Sequence, residues 1–125
     1  QNYPDELMLL SQDFQKICRD INSTIVSNGS FPRIEITNIG QQIIFSYDGE
    51  FSHNEIIFGK NDQDTSNHQI IQGVFNLKFL LLFTKATNLS SHVKIYMNNN
   101  SALILKYGVG TLGSIIFILT YEDDQ

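Results

Sequence analysis

Ser11-Gln12-Asp13-Phe14-Gln15-Lys16-Ile17-Cys18-Arg19-Asp20-Ile21-Asn22 is the stretch on which the reading of the fold rests. Phe14, Ile17, Cys18 and Ile21 fall at i, i+3, i+4 and i+7, which is one face of an α-helix. Lys16, Arg19 and Asn22 occupy the other side. Cys18 therefore reads as core. Ser11 stands where an N-cap hydroxyl would take up a free backbone N–H, and Glu6–Leu10 before it predicts a short apolar strand. Asn28-Gly29-Ser30, with Pro32, closes the region as a loop.

Outward from that helix the pattern changes to strands. Arg33–Thr37 alternates polar and apolar residues, Ile43–Tyr47 is β-branched and aromatic, Asp48-Gly49 reads as a turn, and Glu55–Phe58 follows as a strand. Lys60–Asn67 is polar and predicts a loop. Ile70–Phe75 resumes as a strand, and Asn76 can cap a second helix over Leu77–Ala86. His92–Met97, Ala102–Tyr107 and Ser114–Tyr121 complete the strands, joined by Asn98-Asn99-Asn100 and by Gly108–Gly113. A strand, helix, three-strand unit thus occurs twice, without a residue-level repeat between the halves. The expected class is α+β, two helices packed on antiparallel sheets, in one domain over residues 1–125.

At 125 residues and 42% hydrophobic, the chain has enough apolar material for one core and too little length for two domains. Its formal net charge of −5 argues against wrapping nucleic acid with the whole surface, and leaves room for a local basic patch. The single Cys18 has no partner for an internal disulfide, which fits a reducing compartment. No apolar run has the length of a membrane span, so no membrane partner is expected. Asn22-Ser23-Thr24, Asn28-Gly29-Ser30, Asn88-Leu89-Ser90 and Asn99-Asn100-Ser101 match the glycosylation pattern, which an Asn-rich chain generates by chance.

Catalytic signals are weak. Gly108-Val109-Gly110-Thr111-Leu112-Gly113 spells G-x-G-x-x-G, but a phosphate site needs a helix after the glycines. Ser114-Ile115-Ile116-Phe117-Ile118 is strand-like, so the glycines predict a hairpin. His53, His68 and His92 are scattered without metal-ligand spacing. Asp123 and Asp124, after Glu122, read as solvated tail rather than a rigid carboxylate pair. No enzyme activity, metal or cofactor is expected.

Three segments resemble one family. Phe14–Asp20 is similar to the first helix of the C-terminal domain of proliferating cell nuclear antigen, the ring-shaped DNA sliding clamp. Phe83-Thr84-Lys85-Ala86-Thr87 with Leu89-Ser90-Ser91 resembles the end of that domain's second helix. Ile44-Phe45-Ser46-Tyr47-Asp48-Gly49-Glu50 is similar to its strand and turn, and Glu122-Asp123-Asp124 to its acidic ending.

The resemblance implies a ring of six similar domains around duplex DNA, in a DNA polymerase processivity factor acting in the nucleus or at a viral replication site. It implies that Lys16, Arg19, Lys78 and Lys85 face DNA; these are four of the eight Lys and Arg residues. Spacings of three and seven residues independently put each pair on one helix face. It further implies a pocket for the peptide motifs of replication and repair proteins at Ala102, Ile118 and Thr120, beside Leu119 and Tyr121. A subunit-pairing edge is implied at Asn54, Glu55, Ile56, Ile57, Phe58, Gly59 and Lys60, and pairing of Ile115–Tyr121 with an N-terminal domain outside this chain. Polymerase, clamp loader, neighbouring subunits and sequence-independent duplex DNA are the implied partners.

Departures are visible. Ala102 stands where the family often has proline, Thr120-Tyr121-Glu122 where it has Ala-Pro-Lys, and Leu81 where a polar residue is common near the lysines. They point to a divergent, viral-type clamp with its own partner choice. The alternatives are a subunit of a hetero-ring for damage signalling, which subunit matching would separate, and a secreted glycosylated module, which a glycan mass shift would reveal.

Overall fold

Among the described residues, eight strands and two helices follow one another in the predicted order. In the computed structural model, residues 6–25, 32–59, 70–98 and 100–121 are described. The elements are β1 (Leu7–Leu10), α1 (Ser11–Thr24), β2 (Arg33–Ile39), β3 (Gln42–Asp48), β4 (His53–Gly59), β5 (Ile70–Asn76), α2 (Leu77–Phe83), β6 (His92–Met97), β7 (Leu103–Gly108) and β8 (Ser114–Leu119). Expectations for Asn28-Gly29-Ser30, Lys60–Asn67, His68, Asn99 and Glu122-Asp123-Asp124 lie outside the described residues.

All pairings are antiparallel, and they form two four-stranded sheets ordered β1-β6-β7-β8 and β4-β3-β2-β5. Each sheet takes three strands from one β-α-β-β-β unit and borrows the first strand of the other. This exchange makes the two units a single α+β domain. Alternation then sorts the faces: Ile34, Ile36, Ile43, Phe45, Val93, Ile95, Leu103, Leu105 and Tyr107 enter the core with Phe14, Cys18, Ile21, Leu77 and Leu80 of the helices.

The helix starts differ in mechanism. Asn76 caps α2, its side-chain oxygen accepting from the Lys78 N–H at 2.9 Å. Ser11 is not the cap of α1. It is the first helical residue, its Oγ is buried without a hydrogen-bond partner, and its N–H donates to the Ser91 carbonyl at 2.9 Å. Strand pairing runs up to Leu10 opposite His92, so the neighbouring strand supplies the acceptor that a cap would have given. The second helix is also shorter than Leu77–Ala86. A 3-10 segment, Thr84–Leu89, takes over, with the Thr84 hydroxyl donating to the Leu81 carbonyl and the Thr87 hydroxyl to the Thr84 carbonyl.

The glycine-rich run is a hairpin. Gly108 ends β7, Val109 N–H donates to the Gly113 carbonyl at 2.8 Å, and Gly110 and Gly113 take φ of 53° and 123°. Ser114 opens a strand instead of a phosphate-binding helix.

Asn38 joins the two sheets. It is 2% exposed, donates from Nδ2 to the carbonyls of Gly40 and Gln42, and accepts from the Met97 N–H at 3.4 Å. Asn38→Ala leaves these buried groups unpaired and should cost about 1–3 kcal/mol. Urea unfolding measures it; an unchanged midpoint would show that the bridge contributes nothing.

Candidate nucleic-acid interface and its neighbouring surfaces

The two helices meet along a seam. Gln15 Nε2 of α1 donates to the Thr84 carbonyl at 3.1 Å, and farther along Asn22 shares a groove of about 340 Å³ with Pro32, Lys78, Leu81, Leu82 and Lys85. Gln15, Arg19 and Asn22 stand at i, i+4 and i+7, so Arg19 lies on the α1 stripe that runs beside α2. Lys16, three residues before Arg19 and exposed, rides on the solvent crest of the same helix. Lys78 and Lys85, both exposed, line the groove together. The structure brings Lys78 and Lys85 into one groove with Asn22 of α1, and helical spacing puts Arg19 on the α1 flank beside it, with Lys16 adjoining.

Two acids were not part of the sequence-based site. Asp13 and Asp20 are seven apart and exposed on α1, on the shoulder away from the Gln15–Arg19–Asn22 stripe. Their i, i+7 spacing was the available signal. They confine the basic surface to the side of α1 nearer α2.

The outer face of the first sheet carries the second candidate site. Tyr96, Ile104 and Ile118 are direct cross-strand neighbours, forming one row. Ile104 is only 7% exposed in that row, whereas Ile118 is 62% exposed. Ala102 is buried beside it, two residues before Ile104, and Thr120 is exposed two residues beyond Ile118. Leu119 is different: alternation along β8 turns it inward, where it packs in the core. Tyr121 leaves the sheet altogether. A Cβ built on Gly73 of β5 would stand 3.0 Å from the Tyr121 Cβ, so Tyr121 lies against the other sheet. The row members Tyr96 and Ile104 were missed, although two-residue spacing from Ala102 marks Ile104.

The third candidate is the edge. β4 is outermost in its sheet and carries Asn54, Glu55, Ile56, Ile57, Phe58 and Gly59; Lys60 lies outside the described residues. Ile56 and Phe58 pack toward the core, and Ile57 points outward, 57% exposed. β8 is the corresponding edge of the other sheet, and β1 and β5 are outermost as well. Such strands present unpaired N–H and C=O groups to another chain.

His53 begins β4. Its Nδ1 bonds Asp48 Oδ1 at 2.8 Å, and its Nε2 lies 3.8 Å from Glu55. The Asp48 hydrogen bond holds its pKa above the ordinary 6.5, with the negative charges of Asp48 and Glu55 acting in the same direction. A raised folded value means the stabilisation is full below pH 6.5 and disappears as pH rises through the folded pKa. Asp48→Asn should bring the His53 titration back toward 6.5 by NMR; no movement would assign the shift elsewhere. Cys18 behaves oppositely to a reactive thiol, burial pushing it up to about 12.

Comparison with known proteins fits this geometry. The chain matches the family model "Proliferating cell nuclear antigen, C-terminal domain" over residues 1–122. It is 34% identical over 113 residues to the "Probable DNA polymerase sliding clamp 1" of Paramecium bursaria Chlorella virus 1, covering 85% of this chain and 41% of that protein. It is 28% identical over 127 residues to the "Probable DNA polymerase sliding clamp" of Acanthamoeba polyphaga mimivirus, covering 98% of this chain and 25% of that protein. The chain thus spans less than half the length of these relatives. Two helices beside two exchanged antiparallel sheets, a match over nearly every residue and clamp relatives among large viruses lead to one assignment: this chain belongs to the proliferating cell nuclear antigen C-terminal domain family.

Proposed function

We propose that the chain is one domain of a DNA polymerase processivity factor, part of a ring that encircles duplex DNA and slides along it. The observation that carries this reading is the groove between the helices where Lys78 and Lys85 meet Asn22 of α1, the helix that bears Lys16 and Arg19, on an otherwise acidic chain. Long cationic side chains on rigid helices touch phosphates without reading sequence, which suits sliding. The work done is binding rather than chemistry.

The outer surfaces supply partners on the same reading. The open edge of β4 pairs with a neighbouring subunit, and β8 with the N-terminal domain of its own subunit. Ala102, Ile118 and Thr120, with the Tyr96–Ile104 row, form half of a shallow site for the motifs of polymerase, clamp loader and repair proteins. The place of action is the nucleus or a viral replication site. A half-site buries little of a peptide, so the domain by itself binds such motifs weakly.

Topology gives the test. The complete protein that carries this domain, loaded on a nicked circular duplex, should stay bound in high salt and be lost when the circle is cut. Equal loss from circle and linear DNA would sink the ring reading.

A further inference from the structure

The seam between α1 and α2 has an apolar floor. Leu81 and Leu82 line it between Lys78 and Lys85, and Leu82 is 44% exposed. The core does not require Leu82 there, because Leu77 and Leu80, both fully buried, already form the inner face of α2. A leucine held open to water between two lysines is covered favourably only by a surface that is apolar at its middle and anionic at its ends. Lys78 lies on the first turn of α2, and Lys85 on the 3-10 segment that continues it, about two turns farther on. Their two ammonium groups can meet separate phosphates of one strand, with the intervening deoxyribose C–H edges opposite Leu82.

We infer that Leu82, beside the half-buried Leu81 in the groove, packs against the sugar edges of duplex DNA between the phosphates met by Lys78 and Lys85. This rests on the reading of the chain as a DNA-encircling domain. It adds a contact that releases no counterion, so it persists at salt concentrations that weaken the lysine contacts. The surface then slides against friction as well as against charge.

The test uses the complete protein, a short linear duplex and a salt titration. Leu82→Gln keeps side-chain length and helix propensity, and circular dichroism checks the fold. It should weaken binding about fivefold at every salt concentration without changing the slope of log K against log salt. Leu82→Met should restore the affinity. Lys78→Ala should instead lower the slope by about 0.9. If Lys78→Ala lowers the slope while Leu82→Gln changes nothing, the sugar contact is wrong and the clamp reading stands. If neither variant alters DNA binding, the clamp reading itself falls. A loss of self-association in sedimentation with DNA binding intact would give the groove to a second copy and overturn the inference.

Discussion

Changing Lys16, Arg19, Lys78 and Lys85 together to Ala should lower the slope of log K against log salt for duplex DNA by about 3.6, about 0.9 for each phosphate contact removed. Between about 50 and about 200 mM salt the unaltered protein should then lose about a hundredfold more affinity than the variant. All four side chains are exposed on helical segments and Ala is the best helix former, so the fold should survive. Lys94 and Lys106 provide the control. They are cross-strand partners on the outer face of the first sheet, and Lys94 lies 3.6 Å from Glu6. Replacing that pair by Ala should leave the slope alone. Equal effects from the two sets would mean diffuse attraction to the whole surface, and the seam would lose its special status. A fall in clamp-dependent DNA synthesis should accompany the four-residue change only.

The first helix was legible because its apolar residues repeat at helical spacing and the start of the second because Asn76 marks it, and β6 was predicted residue for residue as His92–Met97. The sheet partners were not. β1 pairs with β6 and β5 with β2, and each borrowing is fixed by packing between distant segments that no local pattern encodes. Ser11 shows the consequence: its N–H is satisfied by Ser91, so a local capping rule named the wrong group. Leu119 was misplaced for another reason. Ile115-Ile116-Phe117-Ile118-Leu119 is apolar at every position, so alternation in the sequence does not say which face is inside. Spacing put Lys16 and Arg19 on the exposed side of α1, but it treated Lys85 as part of α2, and Lys85 lies on the 3-10 segment that follows; the groove needed both helices in place.

Phe45→Ala should destabilise the domain by about 3–5 kcal/mol, a large share of the stability of a domain this size. Phe45 is fully buried on β3 and makes edge-on ring contacts to two elements, with centroid separations of 6.1 Å to Phe14 and 5.5 Å to Phe58. Phe14 belongs to α1, the helix carrying Lys16 and Arg19, and Phe58 to β4, the open edge. One ring thus supports the proposed DNA-facing surface and the proposed subunit edge from beneath. The cavity left by alanine should loosen both together, so assembly and DNA retention should fall along with the urea midpoint. Phe45→Leu refills most of the volume but loses both edge contacts, and it should fall between wild type and alanine. Hydrogen exchange separates this from general unfolding: protection should drop in α1 and β4, whose rings touch Phe45, before β7 of the other sheet. Uniform loss across all strands would show that Phe45 holds the domain as a whole and does not couple these two surfaces.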